Sequence, residues 1–245
     1  MILIKPQVLI EYPNINEEEA YKLIERIGRT CYKSEDKITK DSSIKFIKNI
    51  IKSGHESVIE HFNITVRIIC DRGVSHELVR HRIASFSQES TRYVNYQKKG
   101  MQFILPPWVT DIPLGEYGLN KDISYDPEKI SVKDFIDIYP KEYEKRLTTL
   151  PEIDRKQVVW LLALLKSERY YNYLISNGWK PQEARSVLPN SLKTEIVTTT
   201  NVREWRHILK LRLSPAAHSQ MREIMNILKD LLIQRFPIFF EDIIT

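Results

Sequence analysis

The chain has 245 residues, 42% of them hydrophobic and 28% charged, enough apolar content for one sizeable globular core. No apolar run approaches the roughly 18 residues of a membrane span, and the opening Met1-Ile2-Leu3-Ile4-Lys5-Pro6 lacks the charged leader, long apolar stretch and cleavage site of a signal peptide, so a cytoplasmic protein is expected. The formal charge of +5 fits nucleic acid or a pocket for phosphate-bearing small molecules, and the absence of a basic tail or lysine block favours the pocket.

Gln7 to Tyr12 reads as a short strand, and Asn16-Glu17-Glu18-Glu19 supplies a cap and an acidic first turn for an amphipathic helix ending near Cys31. A second helix, from about Ser42 to Ser53, stops at Gly54, where a left-handed cap is natural. Phe62 to Cys70 alternates apolar and polar residues and is rich in β-branched ones, the pattern of a strand. A helix from Val74 to about Arg82 is then expected, placing Glu77, Arg80 and His81 on one face at i, i+3 and i+4. Tyr93 to Tyr96 and Phe103 to Leu105 read as strands joined by a turn at Lys98-Lys99-Gly100.

Trp108 to about Val132 reads as an irregular excursion, and Val132 to Asn177 as a long helical region interrupted near Leu150-Pro151. Its stripe of Val158, Leu161, Leu162 and Leu165 is core or subunit interface. Pro181 opens a short helix, and Thr194 to Thr200 is strongly strand-like. Asn201 caps a helix over about Val202 to Leu211, and a last amphipathic helix covers about Ala216 to Gln234. Strands and helices do not alternate in a β-α-β rhythm, so the expected architecture is a single α+β domain over residues 1–245, a small and mainly antiparallel sheet packed with helices. The isolated cysteines Cys31 and Cys70 form no metal or disulfide pattern and are expected as buried free thiols.

Two constellations carry the chemistry. Arg80-His81-Arg82 leads through Ser85, Ser87, Gln88, Glu89, Ser90 and Thr91 to Arg92, a density of guanidinium forks, hydroxyls and amides that calls for a phosphorylated, planar ligand. The second is the run from Asn201 to Arg212. Arg203 and His207 share a face there at i, i+4, with Arg212 about half a turn around, while Glu204, Arg206 and Lys210 read as the wet face of a surface helix. No phosphate loop, Gly-x-Gly-x-x-Gly fingerprint or nucleophile triad occurs. His55 and His61 do not have zinc-protease spacing, and no metal is expected.

Arg80-His81-Arg82 with Ser85, Ser90 and Arg92 resembles the R-H-R-x-x-S-x-x-x-x-S-x-R signature of the flavin-dependent thymidylate synthases, the ThyX family. His55-Glu56-Ser57 with Glu60-His61, Arg185 with Leu188-Pro189, and Asn201-x-Arg203 through Arg212 resemble further motifs of that family in the same order. The resemblance implies a cytoplasmic homotetramer with active sites between subunits, binding neither nucleic acid nor membrane. It further implies FAD held without a Rossmann fold, dUMP methylated to dTMP, 5,10-methylenetetrahydrofolate as carbon donor and NADPH as reductant.

By the same resemblance, His55, Ser57, Arg80, His81, Arg82, Gln88, Asn201, Arg203 and His207 are FAD contacts. Glu77, Arg80, Gln88, Glu89, Ser90, Thr91, Arg92, Arg185 and Arg212 are dUMP contacts. Arg212 is the catalytic residue, stabilising charge that develops on the pyrimidine; at its ordinary pKa a guanidinium acts electrostatically rather than as a base. Ser90 is read as a nucleotide ligand rather than a nucleophile, and Tyr93 as a strand aromatic or a folate-facing residue. The chain departs from the family pattern at His76-Glu77, where many members have Arg and Gln, and at Ser87-Gln88, where many have Asn and Glu. Two other classes fit the basic clusters: a nucleic-acid-binding protein, whose affinity would fall with salt, and a nucleotide- or flavin-binding relative without turnover.

Overall fold

Strands and helices follow one another in chain order as β1 (Ile2–Ile4), β2 (Gln7–Tyr12), α1 (Glu17–Arg29), α2 (Ser42–Lys52), β3 (Asn63–Asp71), α3 (Arg72–Leu78), β4 (Ser85–Gln88), α4 (Tyr96–Lys99), β5 (Gln102–Ile104), β6 (Gly115–Glu116), α5 (Arg155–Ser176), α6 (Pro181–Ala184), β7 (Lys193–Asn201), α7 (Val202–Arg212), α8 (Ser219–Arg235) and α9 (Pro237–Phe240). Short 3-10 turns at Thr30–Tyr32, Glu56–His61 and Arg185–Val187 join some of them. The computed structural model describes residues 1–118 and 154–243; the expected helix from Val132 up to its interruption at Leu150-Pro151 lies outside the described residues. The elements make an α+β protein with two small sheets, ordered β2-β3-β7-β4 and β5-β1-β6. Contacts divide the chain into two compact units, one of Met1–Pro6, Cys70–Gly73 and Glu89–Thr194, the other of Gln7–Ile69, Val74–Gln88 and Glu195–Thr245.

The second unit holds the four-stranded sheet. Strict alternation along β3 and β7 buries Ile64, Val66 and Ile68 beside Ile196, Thr198 and Thr200, because successive side chains of a strand point to opposite faces. Pairing is antiparallel between β2 and β3 and between β4 and β7. Helices supply the rest of this core through Ile24 of α1, Trp205, Ile208 and Leu209 of α7, Leu228 and Leu232 of α8, and Phe239 and Phe240 of α9, all fully buried. The indole of Trp205 donates to the Ile64 carbonyl at 3.0 Å, which satisfies the one polar atom on that side chain. Asn16 and Glu19 close a reciprocal capping box that starts α1. Gly28 lets α1 approach its neighbours: a Cβ there would stand 2.7 Å from the Phe46 ring and 2.8 Å from Val58. Gly54 ends the α2 region at φ 70°, the left-handed conformation expected of it.

In the other unit β1 runs parallel to β5 and antiparallel to β6, so this sheet is not wholly antiparallel. The stripe of Val158, Leu161, Leu162 and Leu165 on α5 packs into a core with Leu3, Phe103 and Tyr117.

Several local expectations give way to tertiary context. Tyr93 to Tyr96 is not a strand; Asn95 accepts from the backbone amides of Gln97 and Lys98 and starts the short helix α4 instead. Ser85–Gln88, inside the arginine motif, becomes a strand because β7 offers it a partner, with Ser85 opposite Thr199 and Gln88 opposite Ile196. Helix α3 begins earlier than Val74, since a glycine in a first turn costs at most about 1 kcal/mol, and it ends at Leu78, so Arg80 and His81 lie on a turn beyond it and not on its face. Cys70 is buried as expected, but Cys31 is exposed, because it sits on the 3-10 turn after α1 has ended.

Candidate active site

Helix α7 organises the site in the second unit. The Asn201 side chain accepts from the Glu204 amide at 2.9 Å and so caps the helix where β7 ends. At 3.6 residues per turn, Arg203, His207 and Lys210 then share one face. With Asn201, Glu204, Glu56, Glu60 and Ile83 they line a cleft of about 520 Å³. Arg203 donates to Glu60 at 2.5 Å across the surface of this cleft.

Arg212, at the other end of α7, faces the last turn of α3 and the segment that follows it. Its Nε donates to His81 Nε2 at 3.0 Å, Nη1 to the Glu77 carboxylate at 2.9 Å and Nη2 to the Glu77 carbonyl at 3.0 Å. His81 is buried; burial, then the charge of Arg212 and the neighbouring His207, push its pKa down from 6.5 to about 4. The imidazole is therefore neutral near pH 7. Since Nε2 accepts, the proton belongs on Nδ1, which faces Glu204 Oε1 at 3.6 Å, beyond hydrogen-bond range. Burial raises the pKa of Glu204.

His81, Glu204 and His207 offer atoms of metal-ligand type within 4.8 Å of one another, a cluster that sequence spacing could not reveal. Arg212 already occupies Nε2 of His81, and a guanidinium at 3.0 Å opposes a second cation, so the cluster serves better as a polar wall.

The remaining residues of the expected cofactor set lie in the same unit. His55 and Ser57 flank Glu56 at the start of the 3-10 turn and are exposed, as are Arg80 and Arg82 on either side of His81. Gln88 donates to Ser75 at 2.8 Å.

The expected nucleotide set divides. Glu77, Arg80, Gln88 and Arg212 belong to this unit, whereas Glu89, Ser90, Thr91, Arg92 and Arg185 belong to the other. There Arg185 donates to the Thr91 hydroxyl at 3.0 Å, and the Ser90 hydroxyl accepts from the Arg92 amide at 3.3 Å. Glu89 accepts from Tyr96 at 2.9 Å and Lys193 at 2.7 Å. Tyr93 is 77% exposed, with the Arg92 guanidinium 5.5 Å from its ring centroid.

Three residues read as a wet helix face behave differently from one another. Lys210 and Glu204 line the cleft, but Arg206 is only 1% exposed. It donates to both Asp242 oxygens at 2.6 Å, to Glu56 at 3.3 Å and to the Phe239 carbonyl. The signal was present in the sequence: Val202, Arg206 and Leu209 stand at i, i+4 and i+7, which puts the arginine in the apolar stripe.

The profile of the family described as thymidylate synthase complementing protein matches residues 9–238. A flavin-dependent thymidylate synthase of Corynebacterium aurimucosum is 31% identical over 233 residues, covering 91% of this chain and 80% of the relative. One from Mycolicibacterium vanbaalenii is 32% identical, covering 90% and 78%, and one from Pyrococcus furiosus is 28% identical, covering 82% and 67%. A match across nearly the whole chain, including both arginine motifs, places this protein in the thymidylate synthase complementing protein family, to which the ThyX signature belongs.

Proposed function

We propose that the chain is a flavin-dependent thymidylate synthase that converts dUMP to dTMP with FAD, taking its carbon from 5,10-methylenetetrahydrofolate and its reducing equivalents from NADPH. The observation that carries this reading is the cleft along α7, where a capped helix start, Arg203, His207 and Lys210 converge on one space. Those groups fit an anionic dinucleotide: amide N–H groups at a helix N-terminus and cationic side chains favour a pyrophosphate, and an exchangeable Arg203–Glu60 pair can give up its guanidinium to it.

In this reading His55, Ser57, Arg80, His81, Arg82, Gln88, Asn201, Arg203 and His207 hold FAD, which when bound and reduced supplies hydride. Neutral His81 presents no charge of its own there. Glu77, Arg80, Gln88, Glu89, Ser90, Thr91, Arg92, Arg185 and Arg212 serve dUMP, with Arg92 and Arg185 as the guanidinium forks suited to its phosphate. Arg212 stabilises negative charge developing on the pyrimidine carbonyl, an interaction stronger in the transition state than in the ground state. The whole chain is one catalytic domain that assembles as a cytoplasmic homotetramer with active sites between subunits, needing neither nucleic acid nor membrane. Among the described residues no helix is long and apolar enough to cross a membrane.

The visible absorbance spectrum of the purified protein, followed anaerobically through addition of dUMP and then NADPH, tests the reading. A flavin spectrum perturbed by dUMP and bleached by NADPH is expected. Arg212→Ala should then lower the rate of dTMP formation on the order of 100- to 1000-fold, the range for removing one oriented donor at a developing oxyanion. A colourless protein that takes up no added FAD and binds DNA with strong salt dependence would overturn the assignment.

A further inference from the structure

We propose that Glu77 is a positioning residue that acts on the nucleotide through Arg212 rather than by touching it, an inference that rests on the assignment of Arg212 to the pyrimidine. Glu77, on the last turn of α3, gives one guanidinium two acceptors of different kinds. Its carboxylate takes Nη1–H at 2.9 Å and its backbone carbonyl takes Nη2–H at 3.0 Å, while His81 takes Nε–H at 3.0 Å. All three nitrogens are thus anchored once. Since the group carries five N–H donors, one remains on each terminal nitrogen for a ligand, in a guanidinium plane that the three anchors fix.

The chemistry of the carboxylate argues against direct contact. While ionised it only accepts hydrogen bonds, and it would repel both a phosphate and the carbonyl oxygens of a pyrimidine. Engaged with Arg212, it has a partner that needs an acceptor. Two consequences follow with opposite sign. Fixing the guanidinium plane favours turnover, because a donor aimed in advance needs no reorganisation as charge develops. Offsetting part of its positive charge weakens attraction for an anionic nucleotide, by a modest amount since the Glu77 and Arg212 side chains are 38% and 17% exposed.

The test compares wild-type, Glu77→Ala, Glu77→Gln, Arg212→Ala and the Glu77→Ala/Arg212→Ala double variant, all loaded with FAD. The dUMP dissociation constant is read from the flavin spectrum, and kcat from dTMP formation. Glu77→Ala is expected to bind dUMP about threefold tighter while kcat falls about tenfold, a split that loss of an attractive direct contact does not produce. Glu77→Gln should keep the tighter binding but hold kcat within about threefold of wild-type, because its amide oxygen still accepts from Nη1. In the Arg212→Ala background, Glu77→Ala should change either quantity by no more than about twofold.

Weaker dUMP binding in Glu77→Ala at unchanged kcat, or effects that simply add in the double variant, would overturn the inference while leaving the function intact. Wild-type turnover by Arg212→Ala would instead remove the assignment of Arg212 itself.

Discussion

Arg206 and Arg212 stand on one helix, and each meets a carboxylate and a backbone carbonyl, yet they are held for different ends. Arg206 is sealed among Asp242, Glu56 and the Phe239 carbonyl, with both carboxylate oxygens of Asp242 engaged. Arg212 is anchored once at each nitrogen and keeps donors in reserve. Four engaged N–H donors on a side chain 1% exposed make a structural tie; three on a side chain 17% exposed, with fixed orientation, leave a group that can still receive a ligand. The tie also bears on the cleft, because Glu56, which lines it, is one of the acceptors of Arg206, and Asp242 anchors the segment after α9 to the same guanidinium.

The largest effect on stability should come from the sealed arginine. Arg206→Ala would leave the Phe239 carbonyl and two carboxylates without their donor and should cost about 3 kcal/mol, measured as a lower urea midpoint. Arg212→Ala should cost less than about 1 kcal/mol in the same assay while abolishing most turnover. Equal losses from the two would erase the distinction between tie and functional group.

A pH series sharpens it further. Above pH 6.5 His81 is neutral in the folded and unfolded chain alike. Below that value the unfolded chain takes up a proton that the folded protein refuses until about pH 4, so stability falls as pH drops through this window. Replacing Arg212 by Ala removes one of the causes of the depressed value and should shrink the loss; urea unfolding at several pH values between neutral and acid checks both points. The most local effect concerns the cap. Asn201→Ala should destabilise by about 1 kcal/mol and Asn201→Asp by much less, and the alanine variant should also bind FAD more weakly by titration.

Legibility in the sequence followed the range of the interactions. Asn16 and Asn201 as helix caps, Gly54 as a left-handed stop, and the strand character of residues near Ile64–Cys70 and Thr194–Thr200 all rest on neighbours within a few positions, and each stands where expected. The strand at Ser85–Gln88 and the helix at Tyr96–Lys99 are not legible locally, because partners distant in sequence or a competing side-chain cap outweigh local propensity. In the site, residue types and the shared face of Arg203 and His207 were readable. Pairing was not: nothing near Glu77 in sequence announces Arg212, and nothing near Arg206 announces Asp242.

The sequence by itself therefore determined the caps, most of the element pattern, the two arginine motifs and, through them, the family. Only the tertiary structure decided which arginine is sealed and which is poised, that His81 is neutral, and that Glu77 is bound to Arg212. Periodicity and capping are short-range properties of a chain, whereas burial and charge pairing depend on what folding brings alongside.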